Sequence, residues 1–406
     1  MKYLNKKNWL FSLAISLCSL GPYGESSSSA ADLRFERTVI DADLPGGYQV
    51  EVADVNGDGK PDVVALGGGT CAWYENPTWK KRIITGPQQT PGIISSATTD
   101  LDGDGKAEVA IAYEFAMNEP RKGKLLLASQ GAMPDDPWTL TPIVAVGSIH
   151  RLRWGEFNGD KRPDLVVAPI FGPEAKPPDY GDPARLAILL TGDDPKAGRW
   201  KGHVIARRPV LHAIEVSPYD IESGRRSVIF TADTHGVALI RLTPALGVSL
   251  RSLIPGAGGK PPKGGSSEVH LGRLKDGRFF IATIDPWHGS EVAVCLAREP
   301  RKLENFAPRT VLDDTLADGH ALWVADVDRD GDDEVFAGHR GADHRVSLYD
   351  FDGQSWHRTV LDREIAAQDL RGGDLDGDGT PDVVAVGGKT HNVVWYRPIK
   401  EGEAPR

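Results

Sequence analysis

Cysteine is scarce in this 406-residue chain: Cys18, Cys71 and Cys295 are the whole supply. So few thiols cannot form a disulfide framework, and burial or metal must hold the fold instead. Basic residues are outnumbered, 47 Lys and Arg against 57 Asp and Glu, a formal charge of −10 that disfavours nucleic acid as a partner. Long hydrophobic runs are also missing, since the one extended apolar stretch, Trp9 to Leu20, is too short to span a bilayer comfortably. No G-x-S-x-G elbow, H-E-x-x-H pair, phosphate loop or dinucleotide fingerprint is written anywhere, so those enzyme classes are set aside. A paired-carboxylate glycosidase stays open, because carboxylate separation is not readable in sequence.

That apolar stretch follows Lys2, Lys6 and Lys7 and leads through a Ser-rich segment to Ala30 and Ala31, the layout of a cleaved secretory signal peptide over residues 1–31. The expected protein is secreted or periplasmic, with no transmembrane domain once the leader is gone. Leu17 before Cys18 is a poor match to a lipoprotein site, so a lipid anchor is not expected. Cleavage leaves 44 basic against 56 acidic residues, a charge of about −12.

What the chain has in abundance is one short pattern. "DVNGDGKPD" at 54–62 places oxygen-bearing side chains at loop positions 1, 3, 5 and 9, with a main-chain carbonyl at 7, an arrangement that suits Ca²⁺. The apolar run Val63 to Leu66 follows at once, where an EF-hand would need a glutamate and a helix. The pattern recurs at 100–108, 156–164, 326–334 and 374–382, and degenerate copies at 217–233 and 272–285 keep the turn and the following strand but lose the ligand set.

These seven copies divide the chain into units of four strands each, the plan of a propeller blade. Fourth strands read "WKKRII", "WTLTPI", "WKGHVI", "SLRSLI", "FAPRTVL" and "WHRTVL", and the last unit stops at "NVVWYRP" without one. "RFERTVI" at 34–40 matches the missing strand, so the N-terminus is expected to close the ring. The expectation is an all-β fold, a seven-bladed β-propeller of four-stranded blades over residues 32–398, with 399–406 a C-terminal tail.

The loop signature resembles that of the FG-GAP, or VCBS, repeat propellers related to the integrin α-subunit head. The resemblance implies up to five structural Ca²⁺ sites: Asp54, Asn56, Asp58 and Asp62; Asp100, Asp102, Asp104 and Glu108; Glu156, Asn158, Asp160 and Asp164; Asp326, Asp328, Asp330 and Glu334; Asp374, Asp376, Asp378 and Asp382. The third set departs from the pattern, with Glu156 for aspartate and Lys161 for glycine.

If the acidic loops join first to second strands, they share one face of the disc, and chemistry is expected on loops of the other. His150, His212, His270 and His320 fall before or at first strands, and His235, His288, His339 and His391 after second strands, so eight of the eleven histidines go to that face. His150, His320 and Gln368 share an alignment column with Tyr48 and Ile94. Glu51, Arg153, Glu215 and Arg371 fall at channel positions. Histidine serves both as a near-neutral acid or base and as a transition-metal ligand, so the face is a candidate for either, including a second divalent metal.

"DGHALWVADVDRDGDDEVFAGHRG" (318–341) and "EVHLGRLKDGRFFIATIDPWHGSEVAV" (268–294) are similar to the propeller of aldos-2-ulose dehydratases, which remove water from keto-sugars such as 1,5-anhydrofructose. The resemblance implies a carbon–oxygen lyase acting on a small carbohydrate or glycoside. His320, His270, His212, His288 and His339 are then the acid, base or metal-ligand candidates, and His150, His235, Trp287, Arg340 and Arg153 the substrate-binding ones. The alternative is a non-catalytic carbohydrate- or protein-binding propeller. Substrate, role of each histidine and oligomeric state are open.

Overall fold

The computed structural model describes residues 33–221 and 224–399. The expected leader, and the tail from residue 400, lie outside the described residues.

Among the described residues, twenty-eight strands form seven separate four-stranded antiparallel sheets. The innermost strands are Gly47–Ala53, Ser95–Thr99, Ile149–Gly155, Ala213–Ile221, Glu268–Arg273, Gly319–Ala325 and Ala367–Gly373, and each touches its counterparts in both neighbouring blades, so the ring closes. Second strands have apolar centres: Asp62–Gly67, Asp164–Pro169 and Asp382–Gly387 are buried at every position. That pattern fits strands covered on both faces, here by the blades either side. The seam between first and second blades shows the packing, with Val64, Leu66 and Trp73 against Val109, Ile111 and Leu126.

Closure follows the expectation. Arg34–Asp41 pairs antiparallel with Val393–Ile399 and completes the seventh blade, leaving that third strand no open edge. Arg397 Nη2 to Glu36 (2.8 Å) and Arg37 Nε to Asp362 (2.8 Å) pin the joint.

The acidic loops link inner to second strands, and one hydrogen bond recurs in all five. The position-9 carboxylate accepts from the main-chain N–H of position 2: Asp62 from Val55, Glu108 from Leu101, Asp164 from Phe157, Glu334 from Val327 and Asp382 from Leu375, at 2.8–3.3 Å. Side-chain amides then clasp neighbouring loops: Asn76 Nδ2 donates to the carbonyls of Pro61 (2.8 Å) and Leu375 (2.7 Å). The loops need left-handed backbone at position 6, where Gly59, Gly105, Gly331 and Gly379 have φ of 83–92°; Lys161 adopts φ 68° there without a glycine.

Candidate functional site

On the face opposite the acidic loops, the second residue of each inner strand, or the residue just before its start, forms a ring: Tyr48, Ile94, His150, His212, Ser267, His320 and Gln368. The register explains the alignment. In the first, third, sixth and seventh blades a bulge falls at this residue, between Gly47 and Gln49, Ile149 and Arg151, Gly319 and Ala321, and Ala367 and Asp369.

Three ring histidines are held in the same way. His150 Nδ1 donates to the His212 carbonyl oxygen (2.8 Å), His212 Nδ1 to that of Ser267 (3.0 Å), and His320 Nδ1 to that of Gln368 (2.6 Å). A carbonyl oxygen only accepts, so each Nδ1 carries the proton and each Nε2 presents a lone pair. Each main-chain acceptor belongs to the next blade, so blade packing itself orients the rings.

The Nε2 atoms meet near the axis. His288, from the loop after the fifth blade's second strand, brings its Nε2 within 3.1 Å of His212 Nε2, and its ring lies 5.2 Å from that of His320. Tyr48 donates its hydroxyl to His150 Nε2 (2.9 Å) and sits 3.5 Å from His320 Nε2. Arg340 joins the edge, with Nε on Asp318 (2.7 Å), Nη1 on Gln368 (2.9 Å) and Nη2 on His288 Nδ1 (3.0 Å). A guanidinium only donates, so neutral His288 keeps its proton on Nε2, the reverse of the other three.

Burial holds His150, His212 and His320 well below the ordinary histidine range, with Arg151 or Arg340 adding repulsion, and pushes His288 down to about 2. The rings are therefore neutral bases or ligands. Beneath them, burial raises Glu268, Glu215 and Asp369 to about 7. Glu268 lies 3.0 Å from His212 Nδ1 and 3.3 Å from Arg151, a contact invisible in sequence.

His212, His288 and His320 each offer a nitrogen within 4.8 Å of the others. Two nitrogens bound tetrahedrally to one zinc-sized ion stand roughly 3.3 Å apart, close to the His212–His288 separation. His212 and His320 suit a divalent metal in their present tautomer, since Nδ1 is tied to a carbonyl and Nε2 carries no proton. His288 suits it only after the Arg340 hydrogen bond to its Nδ1 is broken and the proton moves.

Other candidates stand apart. His270 lies three residues down its strand from Ser267, about 10 Å along the channel, with Arg371 3.3 Å from its Nε2 and Glu215 3.7 Å from its Nδ1; burial and Arg153 lower it to about 3. His339 spends Nδ1 on the Ala317 carbonyl (3.1 Å) and Nε2 on Arg345 (3.2 Å), both within a structural network. His235 packs beside Asp233, Arg153 turns its Nη1 to the Leu152 carbonyl, and His391 Nδ1 accepts from Gly46 N at the closing seam. Trp287 is only 7% exposed and packs on Phe171 and Tyr180, so it walls the site and offers no open face for a sugar ring. Tyr48, Ser267 and Glu268 were not among the expected residues. The column containing His150 already held Tyr48, but the degenerate loop of the fourth blade hid that His212 belongs there too.

Among the acidic loops, three carboxylate groups converge closely enough to hold an ion: Asp100, Asp102 and Glu108; Asp326, Asp328 and Glu334; Asp374, Asp376 and Asp382. In the sixth blade Asp326 Oδ1 and Glu334 Oε1 are buried without a hydrogen-bond partner, and burial among like charges raises Glu334 to about 10. Orphaned buried carboxylate oxygens of this kind fit a bound cation.

Comparison with known proteins adds to this geometry. Residues 54–111 and 326–385 match the FG-GAP-like repeat family, and residues 125–298 match the aldos-2-ulose dehydratase beta-propeller domain. Aldos-2-ulose dehydratase of Phanerodontia chrysosporium is 25% identical over 364 residues, 80% of this chain and 39% of the relative, so the chain spans about two fifths of that protein's length. A solved Bacteroides fragilis protein, a candidate 6-phosphogluconolactonase, superposes with a TM-score of 0.50 at 12% identity over 88% of this chain and 92% of its own, which bears on the fold alone. The chain carries FG-GAP-like repeats and is distantly related to the aldos-2-ulose dehydratase propeller.

Proposed function

We propose that the histidine ring is the active site of a carbon–oxygen lyase that eliminates water or an alcohol from a keto-sugar, such as 1,5-anhydrofructose or a keto-glycoside. The observation that carries this reading is the opposed protonation of neighbouring imidazoles: His150, His212 and His320 present bare Nε2 atoms, while His288 presents an N–H beside them. Elimination needs that pairing. A base removes the proton next to the ketone, the electron pair forms the new C=C bond, and the β-oxygen leaves with a proton from the acid.

His320 and His212 suit the base, the Tyr48 hydroxyl suits the acid, and the N–H of His288 with Arg340 suits the stabilisation of negative charge on the ketone oxygen. Tyr48, part-exposed beside buried His150, suits first contact with the substrate. A divalent metal held by His212, His320 and His288 would polarise the carbonyl when bound. Calcium at the acidic loops would have a structural role, and the signal sequence would direct the protein to the periplasm or outside the cell.

Incubating the purified full chain with 1,5-anhydrofructose and a panel of 3-keto-glycosides, and weighing the products, tests the reading. Loss of water or of the aglycone alcohol supports it. Saturable binding without any product would identify a carbohydrate-binding propeller instead.

A further inference from the structure

The acidic loops are alike in sequence but differ in what faces their carboxylates. In the sixth and seventh blades Asp326 Oδ1, Glu334 Oε1 and Asp374 Oδ1 are buried without hydrogen-bond partners; Lys275 reaches the sixth-blade loop only at Asp332 (2.7 Å) and Asp330 (3.5 Å). In the first blade both oxygens of Asp62 accept main-chain N–H groups, from Val55 (3.0 Å) and Asn76 (2.8 Å). In the second blade a positive charge already stands inside the loop. Lys196 places its ammonium 2.6 Å from Asp102, 2.9 Å from Glu108 and 3.4 Å from Asp104.

That lysine comes from the next blade and is delivered by local structure. It sits in the 3₁₀ turn Pro195–Ala197, where proline fixes the entry and Gly198 ends the turn at φ 70°. Trp200 Nε1 donates to the Pro195 carbonyl (2.8 Å), which anchors the turn to the outer strand that follows. Glu108 is 1% exposed, so its charge needs a partner inside the fold. Calcium would require oxygens at about 2.3–2.6 Å around one centre, and the ammonium takes up that space and repels a second cation.

We infer that Lys196 is the resident cation of the second-blade loop, so that this loop takes no calcium and ties the second blade to the third whether or not calcium is present. The inference goes beyond the proposed lyase activity and does not depend on it. It divides the ring: the seam beside His150 is held by a covalently tethered charge, while the sixth and seventh blades, which carry His320, Arg340 and Gln368, hold loops suited to a free ion.

The experiment compares the full chain with Lys196→Met, which keeps most of the aliphatic stem and removes the charge. Both are stripped with EGTA and equilibrated with calcium chloride, and bound calcium per chain is measured. The variant is expected to bind one more calcium than the wild type. Equal stoichiometry would overturn the inference. Amide hydrogen exchange over residues 100–108 of the wild type provides a second reading that needs no variant: protection there should not change when EGTA is added, and chelator-dependent loss of protection would also overturn it. Zero calcium in the wild type with one in the variant would uphold the role of Lys196 and contradict calcium binding by the sixth and seventh loops.

Discussion

His150 and His212 are joined through the main chain: the Nδ1 proton of the first is given to the carbonyl oxygen of the second across 2.8 Å, which leaves His150 Nε2 to accept from Tyr48. The tautomer at the mouth of the channel is thus set by how two blades pack, and His212 and His320 repeat the arrangement. Substituting Tyr48 by phenylalanine removes the donor facing His150 and leaves these main-chain bonds intact. Turnover is expected to fall roughly 10²–10⁴-fold if Tyr48 transfers a proton, with the thermal midpoint unchanged. Steady-state kinetics beside a melting curve checks both parts.

His339 is expected to behave in the opposite way. Both its nitrogens are committed, to Ala317 and Arg345, and it is 1% exposed. His339→Ala should cost about 1–3 kcal/mol of stability through the unpaired buried groups left behind. Turnover per folded molecule should stay near the wild-type value, as urea unfolding and active-site-normalised rates would reveal.

Metal-free protein should lose stability as pH rises from neutral into the alkaline range. Burial among neighbouring acids raises Asp382 and Asp164 from 3.8 to about 7 and Glu334 from 4.5 to about 10. A carboxyl with a raised folded value binds its proton more tightly in the fold than in the unfolded chain. Its contribution is therefore complete below the unfolded value and disappears as pH climbs to the folded one. Below the ordinary histidine value the buried neutral histidines oppose this trend, so stability of the EGTA-treated protein should decline from about pH 7 toward pH 10, where Glu334 ionises. Calcium should flatten that decline by compensating the ionised loops of the sixth and seventh blades. Thermal melts across pH, with and without calcium, measure it.

Lys161 holds left-handed backbone at φ 68° where four sister loops have glycine. Replacing it with glycine should stabilise the third blade by about 1 kcal/mol, since an L-residue pays roughly that for the conformation. Chemical unfolding of Lys161→Gly against the wild type tests the strain.

Much of this architecture is legible in the sequence because a repeated loop is an internal alignment. Five copies of one acidic pattern fix the blade spacing, and the likeness of "RFERTVI" to "WHRTVL" reveals which strand closes the ring. The site is less legible, because only the loop acids mark its column in the sequence. Where the fourth and fifth blades lack those acids, that mark fails, and His212 and Ser267 go unaligned with His150 and His320. Depth is hidden for a related reason: His270 faces the channel like its neighbours, yet it lies a few residues lower, among Arg371 and Glu215. Long-range partners such as Lys196 in the second-blade loop leave no local signal, since 88 residues separate it from Glu108.

The central claim is that the histidine ring performs elimination, and the most direct measurement is ultraviolet absorbance of the purified protein with 1,5-anhydrofructose and 3-keto-glycosides, with His320→Ala beside it. The account predicts growth of a conjugated enone band in the wild type and its loss in a variant that remains folded. An enone formed equally fast by His320→Ala, or a flat trace from folded wild-type protein across the whole panel, would contradict it.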